Sequence, residues 1–378
     1  MSCVKLKDIT TCITDGKHGD CKGQDNSGYF FVSCKDVFDG VIHYENSRQI
    51  TKDDFVDADR RTNLMPNDIL ITNSGTIGRM ALVKDIPETR KTTFQKSVAI
   101  VKPNTDKVLP VYLYYLLQSK VNDFINSSNG AAQKNLLLST MRDFDLEIED
   151  SLPTQHRIAT ILSRYDSLIE NYQKQIKLME EASQRLHKEW FVDLRFPGHE
   201  NTKIVDGVPE GWEKKKVTDI LEIKYGKDHK PLKDGNIPVY GTGGAMRYVD
   251  KSLYTGESVL IPRKGSLNNI MYVNETFWTI DTMFYSIPKI ENAAKIVLFY
   301  LRSLDMYSMN IGAAVPSMTV NILSGIDVLL PSNEIRQSFE EALIPYFSSK
   351  RILSSQIRLL TEARDRLLPK LMSGEIAV

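Results

Sequence analysis

The sequence predicts an α+β fold made twice: two similar mixed α/β domains, each leading into a long coiled-coil helix, as a pseudo-two-fold internal repeat. Three observations predict it. Between Leu152 and Trp190 an apolar seam recurs through Ile158, Leu162, Tyr165, Ile169, Tyr172, Ile176, Met179, Ser183, Leu186 and Trp190. These alternating steps of four and three are the a/d spacing of a coiled-coil helix. Moving every position forward by 181 residues gives Phe339, Leu343, Tyr346, Lys350, Leu353, Ile357, Leu360, Arg364, Leu367 and Leu371, in the same phase. Off the seam, Gln175/Gln356, Leu178/Leu359, Glu181/Glu362, Ala182/Ala363 and Arg185/Arg366 are identical pairs, and both seams turn polar at one rung, Ser183 and Arg364. The segment ahead of each helix repeats as well. Lys5-Leu6-Lys7-Asp8-Ile9 returns as Lys216-Val217-Thr218-Asp219-Ile220, and Asp68-Ile69-Leu70-Ile71 as Ser258-Val259-Leu260-Ile261.

The bulk numbers bound what such a chain can be. A length of 378 residues suits two or three domains, each large enough for its own core. Hydrophobic content of 42% and charged content of 25% are ordinary for a soluble protein. No apolar run approaches a membrane span and the N-terminus carries no signal-peptide core, so a cytoplasmic location is expected. Cys3, Cys12, Cys21 and Cys34 all fall early in the chain, which argues against a disulfide framework. Lys+Arg and Asp+Glu balance at 48 each. A nucleic-acid binder of this composition needs a local basic face, or a partner that supplies charge.

Taken in order, residues 4–149 mix short β-rich runs (Tyr29–Val32, Asp68–Thr72, Ser97–Val101) with Gly, Asn and Asp turns. One helix is expected from Pro110, at its first turn, to Ile125. Asn129-Gly130 then turns the chain toward an extended run ending at Ile148, and Pro153 opens the seam helix. Phe196-Pro197-Gly198 stops the region after that helix, and His199 to Gly211 reads as an exposed linker. The repeat offsets shrink along the second half, from 211 at Asp8/Asp219 to 190 at Leu70/Leu260 and 182 at Gly130/Gly312, where Gly-Ala-Ala recurs. The first domain therefore carries longer loops between Ile9 and Leu70. Surface loops absorb such differences cheaply and are where recognition diversifies.

Sites of chemistry are sought and not found. Gly241-Thr242-Gly243-Gly244 lacks the Gly-Lys-Ser/Thr ending of a phosphate-binding loop and reads as a tight turn. No Asn-Pro-Pro-aromatic tetrapeptide occurs, so no base-methylating site is expected in this chain. Asp206, Glu213 and Lys215 imitate a nuclease set but sit at the end of the linker. Cys12, His18, Cys21 and Cys34 lack the paired spacing of a zinc site, so no metal is expected.

What recurs instead is polar residues of base-reading type beside glycines. In the first domain these are Lys17 and His18 after Asp15-Gly16, then Asn73, Ser74, Thr76 and Arg79, Gln95 and Lys96, and Gln133 and Lys134. In the second they are Lys227, His229 and Lys230, Tyr240 and Thr242, Arg247, and Arg263, Lys264, Ser266 and Asn268. Arg and Lys suit guanine edges, Asn and Gln adenine, and Ser or Thr either base or phosphate. Plain loop solubility is the better account of any single one of them. Only at the matched Asn73-Ser74 and Arg263-Lys264 loops do solubility and base reading account for the residues equally well.

The sequence closely resembles the specificity subunit of Type I restriction-modification enzymes, over nearly the whole chain. The resemblance is carried by Phe191-Val192-Asp193-Leu194-Arg195-Phe196-Pro197-Gly198 and Val208-Pro209-Glu210-Gly211-Trp212. The runs from Asp68 to Gly78 and from Leu152 to Ala159 add to it. It implies two target-recognition domains (1–151 and 213–331) joined by antiparallel central (152–192) and distal (332–378) helices, with a linker at 193–212. It also implies double-stranded DNA as ligand, two docked modification subunits that bring S-adenosylmethionine, and restriction subunits joining through the complex, with no cofactor in this chain. Two departures stand out: no proline follows Asp15-Gly16-Lys17-His18, and Pro345 falls inside the distal helix, where a kink or a later start is expected. The helix flanks carry Leu168, Leu178, Leu359 and Leu368, which the seam does not use, and a partner platform is expected there. Two other readings stay open on residues alone: a coiled-coil adaptor whose end domains bind protein or glycan, and an enzyme with its site at the Gly241 loop.

Overall fold

The computed structural model describes residues 1–128, 134–309 and 316–378. It divides into two compact units, Met1–Gln173 with Ser355–Val378, and Lys174–Ser354. The Gly-Ala-Ala repeats at 130–132 and 312–314 lie outside the described residues.

In the first unit, β1 (Ser2–Lys5) passes through a single helical turn (Leu6–Ile9) into β2 (Thr10–Asp15). Asp8 closes that turn by accepting the Lys5 backbone N–H at 3.2 Å. The long early loops expected here build structure of their own: β3 (Phe30–Val32), the two-residue strands β4 (Val37–Phe38), β5 (Val41–Ile42) and β6 (Arg48–Gln49), and helix α1 (Lys52–Thr62). Thr51 caps α1 by accepting from the Asp54 N–H, and Asn63 ends it with φ 40°. Then come β7 (Ile69–Thr72), β8 (Met80–Leu82), β9 (Thr92–Phe94) and β10 (Val98–Pro103). The main sheet runs β2-β10-β7-β8, antiparallel throughout, and β6-β3-β9 forms a smaller sheet.

The single helix expected from Pro110 is two, α2 (Pro110–Ser119) and α3 (Val121–Asn126). Lys120 leaves helical geometry at φ −102° and ψ 9°. Beside it the Ser119 hydroxyl takes the Leu116 carbonyl at 2.7 Å, competing with the backbone ladder. The run toward Ile148 likewise contains α4 (Leu138–Arg142) before β11 (Asp145–Ile148), which pairs with β1. Helix α5 (Leu152–His187) follows. Gln155, fully buried, ties it to its domain: its amide accepts from the Leu109 N–H at 2.9 Å and donates to the Glu149 carbonyl at 2.7 Å. Ile158 and Leu162 join the core with Leu371 and Met372 from the C-terminal helix. Asp166 accepts from Tyr115 at 2.5 Å and from Arg364 at 2.6 Å, so the polar seam rung is an ion pair with a tyrosine donor.

In the second unit a π-helical turn, Lys188–Val192, ends α5 and drives Phe191 into the core. The region expected to be an exposed linker is anchored at both ends by buried Phe196 and Trp212, whose rings lie 4.7 Å apart. Between them β12 (Ile204–Val205) and β13 (Val208–Pro209) form a hairpin. Its Asp206-Gly207 turn has φ 51° and 76°, which a two-residue hairpin requires and which Asp-Gly tolerates. Then follow β14 (Glu213–Lys216), α6 (Val217–Ile220), β15 (Leu221–Tyr225), β16 (Asp234–Gly241), β17 (Gly244–Val249), β18 (Tyr254–Pro262), β19 (Met271–Thr279) and β20 (Met283–Pro288). Helices α7 (Ala294–Ser303) and α8 (Val320–Gly325), strand β21 (Asp327–Leu330) and helix α9 (Asn333–Met372) complete it.

The sheet order β15-β20-β18-β19 repeats β2-β10-β7-β8, with β16 and β17 added at its edge, and β14 pairs with β21 as β1 does with β11. Arg336 stands where Gln155 does, and grips the Glu291 and Pro331 carbonyls at 3.2 and 2.7 Å. No residue of either seam is classed as exposed. In the first unit Asp166 meets Arg364 while Ile158 and Leu162 share a core with Leu371; in the second Glu180 meets Lys350 while Trp190 lies against Phe339. The segments paired within each unit are therefore antiparallel. α9 runs unbroken through Pro345, which is exposed, so the carbonyl it leaves without a donor can bond water. Leu368 is not free on the flank, because it packs half-buried on the first unit's core.

Candidate nucleic-acid interface

In the first unit, β2 and β7 end where β10 begins, since Asp15 pairs with Ala99 and Thr72 with Val98. The loops that leave these strands therefore emerge side by side. Lys17 donates its N–H to the Phe94 carbonyl at 2.8 Å, and Lys96 donates to the Lys17 carbonyl at 3.1 Å, which joins the Lys17-His18 and Gln95-Lys96 segments. The Leu136 N–H donates to the Asn73 carbonyl at 2.8 Å and Asn135 bridges Ser74, which brings Lys134 to the loop holding Thr76 and Arg79. Gln133 lies outside the described residues. Gly16 is the pinch point: a Cβ there would stand 2.0 Å from the Phe94 carbonyl oxygen.

The second unit builds the same end from matched parts. β15 ends at Tyr225 opposite Phe284, and β18 ends at Pro262 opposite Met283. Lys227 donates to the Thr279 carbonyl at 2.9 Å as Lys17 does to Phe94, and Lys264 bridges Ser317 as Ser74 bridges Asn135. Gly226 is pinched like Gly16, its Cβ position 2.0 Å from the Ile280 carbonyl oxygen. Tyr240 and Thr242 reach this end because β16 runs parallel to β19 up to Thr279, and the Asn269 side chain holds the Thr242 carbonyl at 2.5 Å. Asn268 is turned inward in part, its amide oxygen accepting the Met306 N–H at 3.2 Å. Arg247 sits back along the hairpin opposite Val239, held by Asp234 at 2.9 Å and by the Leu232 carbonyl, so the structure does not bring it to the others.

The polar side chains at these ends fall into two groups. Arg79, Lys96, Lys134, Lys227, Lys230 and Lys264 are exposed, and no carboxylate of the described residues lies within ion-pair distance of them. A chain of neutral net charge can meet phosphate only through local cations of this kind. The others are held. Lys17 bonds Asp57 at 2.9 Å with Asp54 at 3.8 Å, and the Asp57 hydrogen bond raises its ammonium above the usual lysine range. Tyr240 donates to Glu275 at 2.5 Å; burial, then that carboxylate, raises its phenol. His18 pairs with Asp15 at 3.0 Å. Arg263 donates to the Asp281 carbonyl at 3.0 Å, and its guanidinium stands 5.4 Å from the Tyr225 ring. Asn73 is buried and its side-chain oxygen has no partner among the described residues; half-buried His229 leaves Nδ1 in the same state. Ser74 and Gln95 are half-buried, and Thr76 and Ser266 are exposed.

Two residues at these ends went unread in the sequence. Arg61, on the last turn of α1, reaches Asp15 at 2.7 Å across a long separation that no short motif could reveal. Tyr225 precedes Gly226 as Asp15 precedes Gly16, so the repeat itself held its signal. The Gly241–Gly244 segment is a two-residue hairpin turn. Among the described residues no group of three potential metal ligands occurs, all four cysteines are free, and no helix is long and apolar enough to cross a membrane.

Comparison with known proteins bears on these ends. The family described as Type I restriction modification DNA specificity domain matches residues 3–180 and 209–358, one match per repeat. The MjaIX specificity subunit of Methanocaldococcus jannaschii, a Type I restriction enzyme component, is 26% identical over 343 residues, covering 82% of this chain and 78% of the relative. The HindI specificity subunit of Haemophilus influenzae is 22% identical over 366 residues, covering 73% and 80%. The crystal structure of a Type I restriction-modification S subunit from M. genitalium superposes with a TM-score of 0.58 over 98% of this chain and 95% of that one, which at 17% identity speaks for the fold. Because both repeats match, the chain belongs to the family of Type I restriction-modification DNA specificity subunits.

Proposed function

We propose that each matched end reads one half of a two-part DNA site, and that the helix pair sets an unread gap between the halves. The chain reads and does not catalyse. Two modification subunits dock on the outer faces of the helices and bring S-adenosylmethionine, and restriction subunits join through the complex in the cytoplasm. One observation carries the reading: two ends of matched construction, each pinched at a glycine and each carrying exposed cations without a carboxylate partner among the described residues, with loops of different length and chemistry. Shared scaffold with different loops is what two reading tasks of one kind require. Seam residues 158–190 would span about 48 Å as helix, at 1.5 Å per residue, more than the ~34–36 Å of one DNA turn.

The test is to express the chain with its modification subunit and map the methylated motif genome-wide. A motif of two short specific blocks separated by unspecified base pairs is expected. A single contiguous block would overturn the two-part reading.

A further inference from the structure

We propose that His18 reads a base carrying an exocyclic amino group, adenine or cytosine, within the first half-site, and that Asp15 is the positioning residue that makes it an acceptor. The inference rests on the reading ends proposed above. Asp15 is the last residue of β2, and its side chain is 10% exposed while that of His18 is 61% exposed. One Asp15 oxygen accepts from Arg61 Nη2 at 2.7 Å, and Arg61 Nε holds Thr14 Oγ1 at 3.0 Å. The other Asp15 oxygen lies 3.0 Å from His18 Nε2.

Chemistry fixes the rest. A carboxylate beside a guanidinium is ionised and offers only acceptors, so the hydrogen between Asp15 and His18 belongs to Nε2. A neutral imidazole with hydrogen on Nε2 has a bare lone pair on Nδ1. That atom is an acceptor on a side chain that is largely exposed. In the major groove the base donors are the N6 amino of adenine and the N4 amino of cytosine, whereas guanine and thymine present acceptors at O6 and O4. An acceptor facing an acceptor leaves both unpaired, so the lone pair selects the amino-bearing base on the strand it touches. The second domain uses the same place differently. Tyr225, before Gly226, lies under Arg263, so in each half the residue ahead of the pinched glycine orients a neighbouring side chain.

The test is motif mapping of three variants, each expressed with the modification subunit. His18→Ala should lose preference at one position of the first half-site, by about ten- to a hundred-fold between best and worst base, with the second half-site unchanged. Asp15→Asn keeps an oxygen for Arg61 but turns an N–H toward Nε2, which moves the ring hydrogen to Nδ1. A donor at Nδ1 should then admit guanine and thymine on the same strand and disfavour cytosine, the base with no major-groove acceptor. Lys96→Ala separates this proposal from its parent: it should weaken binding to every sequence and make the salt dependence shallower. If His18→Ala leaves the motif intact while Lys96→Ala weakens binding, the His18 proposal falls and the reading end stands. If neither variant changes binding, both fall. Asp15→Asn that still rejects guanine and thymine, with an intact second half-site, also overturns the role of Asp15, and should it fail to fold, His18→Ala alone decides.

Discussion

Gly16 and Gly226 show how little of a residue's role is written next to it. Each is required because a carbonyl oxygen occupies the place of its Cβ, and that carbonyl comes from far along the chain, from Phe94 at the end of β9 in one case and from Ile280 just past β19 in the other. The sequence singled out Gly16 in a polar loop but gave no means of seeing the pinch. The polar neighbours were legible as types, and the structure places most of them at one end of each sheet. Their division into held and free side chains was not, since it depends on partners such as Asp54, Asp57 and Arg61 on α1. Arg263 is the held residue with the sharpest expected readout. It is oriented by Tyr225 and the Asp281 carbonyl before any ligand arrives, so little side-chain entropy remains to be lost on binding. If it reads a guanine edge, Arg263→Ala should cost about 1–3 kcal/mol and relax one position of the second half-site. Binding measured across single-base variants of the site decides it; an equal loss on every sequence would make Arg263 a phosphate contact.

At the scale of elements, the long helices were the most legible part, because a seam sustained over many turns leaves few alternatives. One local rule misled. Pro345 was expected to kink α9 or to delay its start, yet the helix begins at Asn333 and continues through the proline, on an exposed stretch where water can take the orphaned carbonyl. The segment 199–211 is largely exposed, as its Gly, Pro and charged residues suggest, and what the sequence did not show is that Phe196 and Trp212 on either side of it are buried in the core. The helix flanks keep a feature the fold does not use. Leu178 and Leu359 are identical across the repeat and each is 54% exposed, with Leu168, Ile344 and Ile352 also exposed. Covering one such leucine would contribute on the order of 1.5–3 kcal/mol, which supports the proposal that a partner covers them. Changing Leu178 and Leu359 together to Asp should abolish co-purification of the modification subunit, while the thermal melting of the isolated chain stays within a few degrees of wild type. Complex formation at wild-type yield would rule the platform out.

For the whole molecule, a neutral sum hides local differences. Exposed cations without a carboxylate partner among the described residues stand at both sheet ends, and others along the chain are matched by carboxylates, as at Lys5–Asp145, Lys216–Asp327 and Lys350–Glu180. The two domains share the four-stranded scaffold and differ in what is inserted before β7 and β18: strands β3 to β6 with α1 in one, the β16–β17 hairpin in the other. The shrinking offsets located that difference in the sequence, but its architecture was hidden because strands of two or three residues leave no periodic signal. The proposed ruler can be tested without touching either insert. Glu180 faces Lys350, so one heptad inserted after Met179 and another after Lys350 would lie opposite each other and keep the seam phase and the flanking pairs. Seven residues add about 10.5 Å along a helix, and DNA advances ~3.4 Å per base pair. The unread gap should therefore lengthen by about three base pairs while the bases in each half-site stay the same. Three base pairs also rotate the grooves by about a third of a turn, so affinity should fall unless the added helix turns one domain to follow. Methylation mapping of the double insertion reads both effects together. A gap that keeps its original length while modification persists would mean that the helices do not measure the DNA and that the docked subunits position the domains instead.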